Sequence, residues 1–281
     1  MLRAPFGTRT VSSVDHPLLP LTGWFFDLPY IVCPACSRGH LEKTTAFVTQ
    51  RSGLSYQAEA EAPDGFEPEW VQGVFTGILT CSLTGCWERV AVAGDFETVS
   101  KPTRVDAWTQ QHEMYTERHR LRFAHPAPLI VDCPPRTPKA VQKAATAAAA
   151  VIWTDPAGAA GRLRVAVEEL MTAQKIAKSK LEKKKGGGRR RTPRMAHERI
   201  TEFALTRPDV SRVLLAVKWI GNSGSHESGL SAQDVLEGAQ MFSHAMRLLY
   251  DPSQADLMRR VALVNKRRGP VPRKATATTV P

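Results

Sequence analysis

The sequence predicts an α+β protein: a small cysteine-held β module followed by an all-α helical bundle. Three observations carry this. All five cysteines fall before residue 134, and twelve of the 20 prolines fall before residue 136. The first half has short apolar runs at 45–49, 74–80 and 89–93, broken by Gly, Pro and polar clusters, which read as strands joined by loops. From Thr137 onward, apolar residues recur at helical spacing instead. The change of pattern sets a boundary near Pro134–Pro135. The expected organisation is an N-terminal segment over 1–26, a β module over 27–101 and a linker over 102–135. A helical bundle follows over 136–266, with a flexible basic insert at 183–194, and then a disordered tail over 267–281.

The helices follow in order. The first starts at Thr137 as N-cap with Pro138 at the first helical position, and its stripe is Val141, Ala145, Ala148 and Ile152. The second opens at Asp155–Pro156 and carries Leu163, Val167, Leu170 and Met171, with room to continue through Ile176 and Leu181 to the glycines at 186–188. A third spans about 195–205. The fourth starts at Pro208–Asp209, carries Val213, Leu214, Val217 and Ile220, and is expected to stop at Gly221–Asn222. The fifth is capped by Ser231 with Asp234 three residues on, and buries Val235, Ala239, Phe242, Met246 and Leu249. Asp251–Pro252 opens a last one, ending near Lys266.

Composition narrows the class. With 42% hydrophobic and 23% charged residues in 281, wholesale disorder is excluded. No apolar run approaches the ~20 residues of a membrane span, the longest, 144–153, being mostly alanine. No signal peptide is evident, and five cysteines without one suggest a reducing, cytoplasmic setting. The net charge of +11 suggests a nucleic-acid partner, but it is local. Lys175 to Arg194 contains ten basic residues and one Glu, and Arg259 to Lys274 contains seven basic residues and no acid. The remainder is mildly acidic.

Cys33-Pro-Ala-Cys36 has the spacing of a knuckle that aims two thiolates at one metal. Cys81-Ser-Leu-Thr-Gly-Cys86 follows after 44 residues, flanked by predicted strands. Four thiolates from two turns make a closed, structural zinc ribbon. The alternative is two unrelated pairs, reduced or disulfide-bonded. His40 is a substitute ligand if one cysteine is misassigned, and Cys133 reads as a lone thiol.

The segment from Ala216 to His226 (AVKWIGNSGSH) reads as a helix stop, a second turn at Gly224, and a histidine. In RNA cleavage His226 would move a proton and Lys218 would stabilise charge on phosphorus. Equally, Gly-Asn is an ordinary helix stop, and His226 would bond within the bundle, with Glu168 and Glu169 as partners. The run Lys183, Lys184, Lys185, Gly-Gly-Gly, Arg189, Arg190, Arg191, with Arg194 beyond it, is either a solvated connection or an arm for phosphate backbones. It has no aromatic residue on which a base would stack.

Residues 161–170 together with the Gly-Asn-x-x-x-His motif at 221–226 resemble a bacterial domain-of-unknown-function family. That family occurs alone, behind an N-terminal zinc ribbon, and fused to type I restriction endonuclease subunits. It looks related to the HEPN superfamily of helical bundles, many of them RNases or anti-phage components. The resemblance covers about 134–266, and the cysteine pairs extend it to 33. It implies a HEPN-like bundle, a homodimer, and a candidate catalytic set of His226, Lys218, Asn222, Glu168 and Arg164. Active HEPN ribonucleases carry Arg where Lys218 stands, four to six residues before the histidine; here the gap is seven. Lys lacks the bidentate fork of Arg.

The function expected from all this is an accessory or effector protein of bacterial defence, with structural zinc, contacting RNA or DNA through basic segments. A metal-independent RNase and a structural adaptor that docks a defence-system protein are the rivals.

Overall fold

A computed structural model describes residues 16–101, 114–183, 187–226 and 229–270. Its first half is built on three long antiparallel strands, β4 (Gln72–Cys81), β5 (Arg89–Lys101) and β6 (Met114–His125). Short strands complete the sheet: β1 (Trp24–Phe25) on β6, and β2 (Leu41–Lys43) and β3 (Val48–Arg51) in succession along β4. The strand order is β1-β6-β5-β4-β2. Period-two alternation explains the long strands. Val90, Val92 and Phe96 of β5 point inward and are buried, while Ala91, Ala93 and Asp95 face the other way. A bulge sits where Ala93 pairs with Phe123 but Gly94 pairs with Leu121. A side chain at Gly94 would place its first carbon 2.0 Å from the Arg120 carbonyl oxygen, so this strand crossing requires glycine. Helix α1 (Gly53–Glu61) lies between β3 and β4.

The second half contains α2 (Lys139–Ala149), α3 (Pro156–Ala173), α4 (Ala196–Phe203), α5 (Pro208–His226), α6 (Ala232–Tyr250) and α7 (Pro252–Arg267). Between α3 and α4 runs a two-stranded hairpin, β7 (Ser179–Lys183) and β8 (Arg189–Pro193). The apolar stripes fall inside as their spacing requires: Val141, Ala145, Ala148 and Ile152, then Leu163, Val167, Leu170 and Met171, then Val235, Ala239, Phe242 and Met246 are all buried. Ser231 caps α6, accepting from the Asp234 N–H while Asp234 accepts from the Ser231 N–H.

These elements correct the predicted fold class. A small zinc-ribbon module followed by an all-helical, HEPN-like bundle is not what forms. The β part is a curled six-stranded sheet with strands of up to 13 residues, and it includes a helix. The stretch 102–135, expected as a linker, contains β6. The helical part carries a hairpin where a flexible insert was expected. Two local events produce it. Helix α3 ends at Ala173, and Lys175 takes a left-handed φ of 63° that reverses the chain before Ile176 can join the helix. Gly187 and Gly188, at φ of 88° and 89°, then supply a turn that other residues rarely adopt.

The two halves share one contiguous apolar core. The short segment before β1 closes the seam. His16 donates from Nε2 to the Ile130 carbonyl (3.0 Å) and accepts the Leu18 N–H on Nδ1 (3.1 Å). Burial holds its pKa below the usual value, in keeping with the neutral ring these two bonds require. On the other side the Asp132 N–H donates to Ser243 Oγ of α6 (2.9 Å), which itself donates to the Ala239 carbonyl (2.8 Å).

Candidate metal centre and basic hairpin

Cys33 and Cys36 lie in the turn that precedes β2, and Cys81 and Cys86 in the turn that joins β4 to β5. Each turn is closed by backbone bonds at its base: Cys33 N–H to Gly39 O (2.9 Å), and Cys81 N–H to Glu88 O (3.0 Å). Pairing of β2 with β4 sets Leu41 opposite Cys81, which brings the two turns side by side. The turns are built alike. In each, the residue after the second cysteine is left-handed, Ser37 at φ 52° and Trp87 at φ 58°. In each, a backbone N–H donates to a sulfur at 3.4 Å, Gly39 to Cys36 and Leu83 to Cys81.

The four sulfurs all lie within 4.8 Å of one another, with Cys33–Cys86 at 3.8 Å and Cys36–Cys81 at 3.7 Å. Metal–sulfur bonds of ~2.3 Å on a tetrahedron would put sulfurs ~3.8 Å apart. The cluster therefore has the size of a tetrathiolate metal site, and its cysteines are free thiols, not disulfides. The surroundings pull on the thiols unequally. The Gly39 and Arg38 N–H groups hold Cys36 down at about 6, while burial pushes Cys81 up to about 12. A bound cation overrides that inequality, because coordination deprotonates each thiol. Four protein ligands leave no open position, so such an ion would hold the fold together.

His40 is not part of this cluster. Its Nδ1 meets Ser82 Oγ (3.0 Å), its Nε2 meets Glu42 (2.8 Å), and its ring stacks on Tyr30. Cys133 stands outside it too, half-buried, its thiol pushed up to about 11 by burial and by Asp132.

The segment 216–226 differs from its expected form. Helix α5 runs unbroken through Gly221 and Asn222 to His226. Gly221 is where α5 crosses α3: a side chain there would meet the Ala160 carbonyl and Arg164 Cβ, both at 3.1 Å. The glycine thus permits close helix packing instead of a stop, and the anion-binding turn expected at Gly224 is helical backbone. Lys218 is only 8% exposed, with Nζ 3.5 Å from the centroid of the Trp219 ring. Arg164 and Glu168 form an i, i+4 pair on α3 (3.4 Å) beside the crossing. The crossing brings Arg164 to the turn of α5 that holds Lys218 and Asn222. The side chain of His226 lies outside the described residues.

Pairing of Ser179 with Pro193 through Lys183 with Arg189 gives the basic hairpin two unlike faces. One carries Lys180, Glu182, Arg190 and Thr192. Here Lys180 bonds Glu182 (3.1 Å) and Glu198 of α4 (2.9 Å), and Thr192 donates to Glu182 (3.0 Å). The other carries Leu181, Lys183, Arg189 and Arg191, all exposed, and no acid. Arg194 is engaged at the base, pairing with Glu202 and donating to the Glu198 carbonyl. Lys184 and Lys185 lie outside the described residues.

Sequence reasoning missed Arg199. It is 4% exposed and donates to the Glu168 carbonyl (3.0 Å), Thr172 Oγ1 (2.9 Å) and the Ile176 carbonyl (3.1 Å). It thus ties α4 to the end of α3 and to the reversal that leads into the hairpin. The signal was present: Ala196, Arg199, Ile200 and Phe203 form one buried stripe, and an arginine on such a stripe must find carbonyls.

Among the described residues no helix is long and apolar enough to cross a membrane. No curated protein and no solved structure matches the chain. Two domains of unknown function are found in it: the family model of one (DUF8608) matches residues 27–124, and that of the other (DUF4145) matches residues 146–268.

Proposed function

We propose that the protein is an accessory nucleic-acid-binding protein, in which a structural zinc ion staples the sheet and the hairpin contacts phosphate backbones. The observation that carries the reading is the division of charge across β7 and β8. The acids of the hairpin and its anchor are used on one face, at Glu182 and Glu198, which leaves Lys183, Arg189 and Arg191 together on the other. Three exposed cations on a short, base-anchored ribbon neutralise phosphates and release counterions, a contact that falls with added salt. Such contacts position a nucleic acid without reading its sequence. Zinc is the ion that suits four thiolates in a closed tetrahedral site, and Cys33, Cys36, Cys81 and Cys86 would hold it.

The test replaces Lys183, Arg189 and Arg191 together by glutamine and measures binding to labelled oligonucleotides over a range of salt. The logarithmic salt dependence should become shallower by roughly three, one for each lost phosphate contact. If affinity and slope match the wild type, the hairpin is not the contact.

A further inference from the structure

We propose that the solvent face of the sheet, centred on Phe123 and His125, is a stacking surface for the bases of a single-stranded nucleic acid. It deepens the nucleic-acid reading above and rests on it, but it is carried by different residues and a different force.

Strand β6 alternates sharply. His119 and Leu121 before the bulge and Ala124 after it point into the core, whereas Phe123 and His125 point out, and Phe123 is 50% exposed. That leaves an aromatic plane free to meet a partner, because its neighbours do not cover it. Across the ladder, Phe123 pairs with Ala93 and His125 with Ala91, and next to those alanines come Thr76 and Ile78 of β4. The two alanines form a low floor beside the rings, bounded on the far side by Ile78, itself 45% exposed. β1 pairs only with residues 119 and 120, so among the described strands β6 has no outer neighbour alongside Phe123 and His125. The rings thus stand at the margin of a shallow, open trough. They are 25° from parallel with centroids 6.4 Å apart, and so present planar surfaces of similar orientation one strand repeat apart.

The charges around the trough select the occupant. The acids of this face, Asp95, Glu97 and Glu42, are taken up by Arg122 (2.7 Å), Arg118 and His40 (2.8 Å) respectively. Arg89, exposed two residues before Ala91, and Arg120, three residues before Phe123, bracket the rings with positive charge at both ends. Exposed aromatic planes between cations fit a chain that alternates flat bases with phosphates. A duplex keeps its bases stacked inside and offers nothing to these rings, so the preference is for single strands.

The experiment uses the full chain and fluorescence anisotropy with a labelled mixed-sequence single-stranded RNA or DNA 20-mer, the corresponding duplex, and a labelled polyglutamate peptide. Phe123→Leu keeps an apolar side chain but removes the π face, and Phe123→Trp restores one. Single-strand affinity should fall about tenfold or more in Phe123→Leu and return in Phe123→Trp. Duplex affinity and the salt slope should stay at wild-type values, whereas the hairpin variant alters the slope. Wild-type single-strand affinity in Phe123→Leu overturns the proposal, whatever the hairpin variant does. A loss confined to the polyglutamate peptide also overturns it, and assigns the trough to an acidic protein partner.

Discussion

The cysteine turns and the 216–226 segment are both short motifs that stand out in the sequence, but the chain treats them differently. In the cysteine turns the determining geometry is local. Each pair sits in a tight turn closed by hydrogen bonds and a left-handed residue within a few positions of its cysteines, and strand pairing, with bonds between His40 and Ser82, then brings two similar turns together. In 216–226, Gly-Asn is a local invitation to stop a helix, and it is overridden. Helix α3 lies against Gly221, which stands one and two turns beyond the buried Val217 and Leu214 on the same side of α5, so the contact with α3 extends past the glycine. A motif whose geometry is made within a few residues survives its context, and one whose outcome depends on a neighbour does not.

Three experiments sharpen or break that contrast. The largest effect is expected at the cysteines. Cys33→Ser should remove bound metal and lower the melting temperature by ~10 °C or more, since the metal's binding energy becomes folding energy. Elemental analysis of purified protein with a thermal melt checks both, and a metal-free variant that melts with the wild type would show four idle thiols. Gly221→Val comes next. If α5 crosses α3 there, the added carbons must displace Ala160 or Arg164, costing about 2 kcal/mol in denaturant unfolding. Were α5 helical there but open to solvent, the same change would cost almost nothing.

The smallest effect is a pH dependence at His119. This ring is buried among Phe25, Phe47 and Phe75, with Glu117 3.8 Å from Nε2, and neither nitrogen has a hydrogen-bond partner. Burial, helped by the positive charge of Lys43, lowers its pKa below 6.5. The unfolded chain therefore takes up the proton first. Its contribution to stability is complete above pH 6.5 and is lost as pH falls from there towards the lowered value, at no more than about 1.4 kcal/mol per unit. His119→Leu should flatten the stability profile below pH 6.5 and leave it nearly unchanged at pH 8. A profile as steep as the wild type's would assign the acid sensitivity to another group.

The same contrast explains what could be read from the sequence. The helices of the second half follow from apolar spacing because their stripes are long, and the Ser231 cap is a local chemical statement. The cysteine set was legible for the same reason. The size of the sheet was not. β6, with its run of arginines and histidines from Arg118 to His125, carries the polar face of a half-solvated strand, and only its partners β5 and β1 reveal the period-two pattern behind it. The hairpin was hidden because a block of like charge resembles a loop, and its pairing depends on Glu182 and Glu198 offsetting Lys180. Arg199 could be placed on a helix but not assigned its three acceptors, which come from α3 and the turn after it.

The cysteine cluster also bears on the unfolded chain. It joins two turns that enclose β2, β3, α1 and β4, so an ion retained during unfolding would keep residues 33–86 tied in a closed loop. The chain entropy gained by opening the sheet would then be curtailed. β1, β5, β6 and everything from α2 onward lie outside that loop and would gain their full freedom. The metal would thus bias the order in which the molecule comes apart, with the segment from Cys33 to Cys86 the last to gain its freedom.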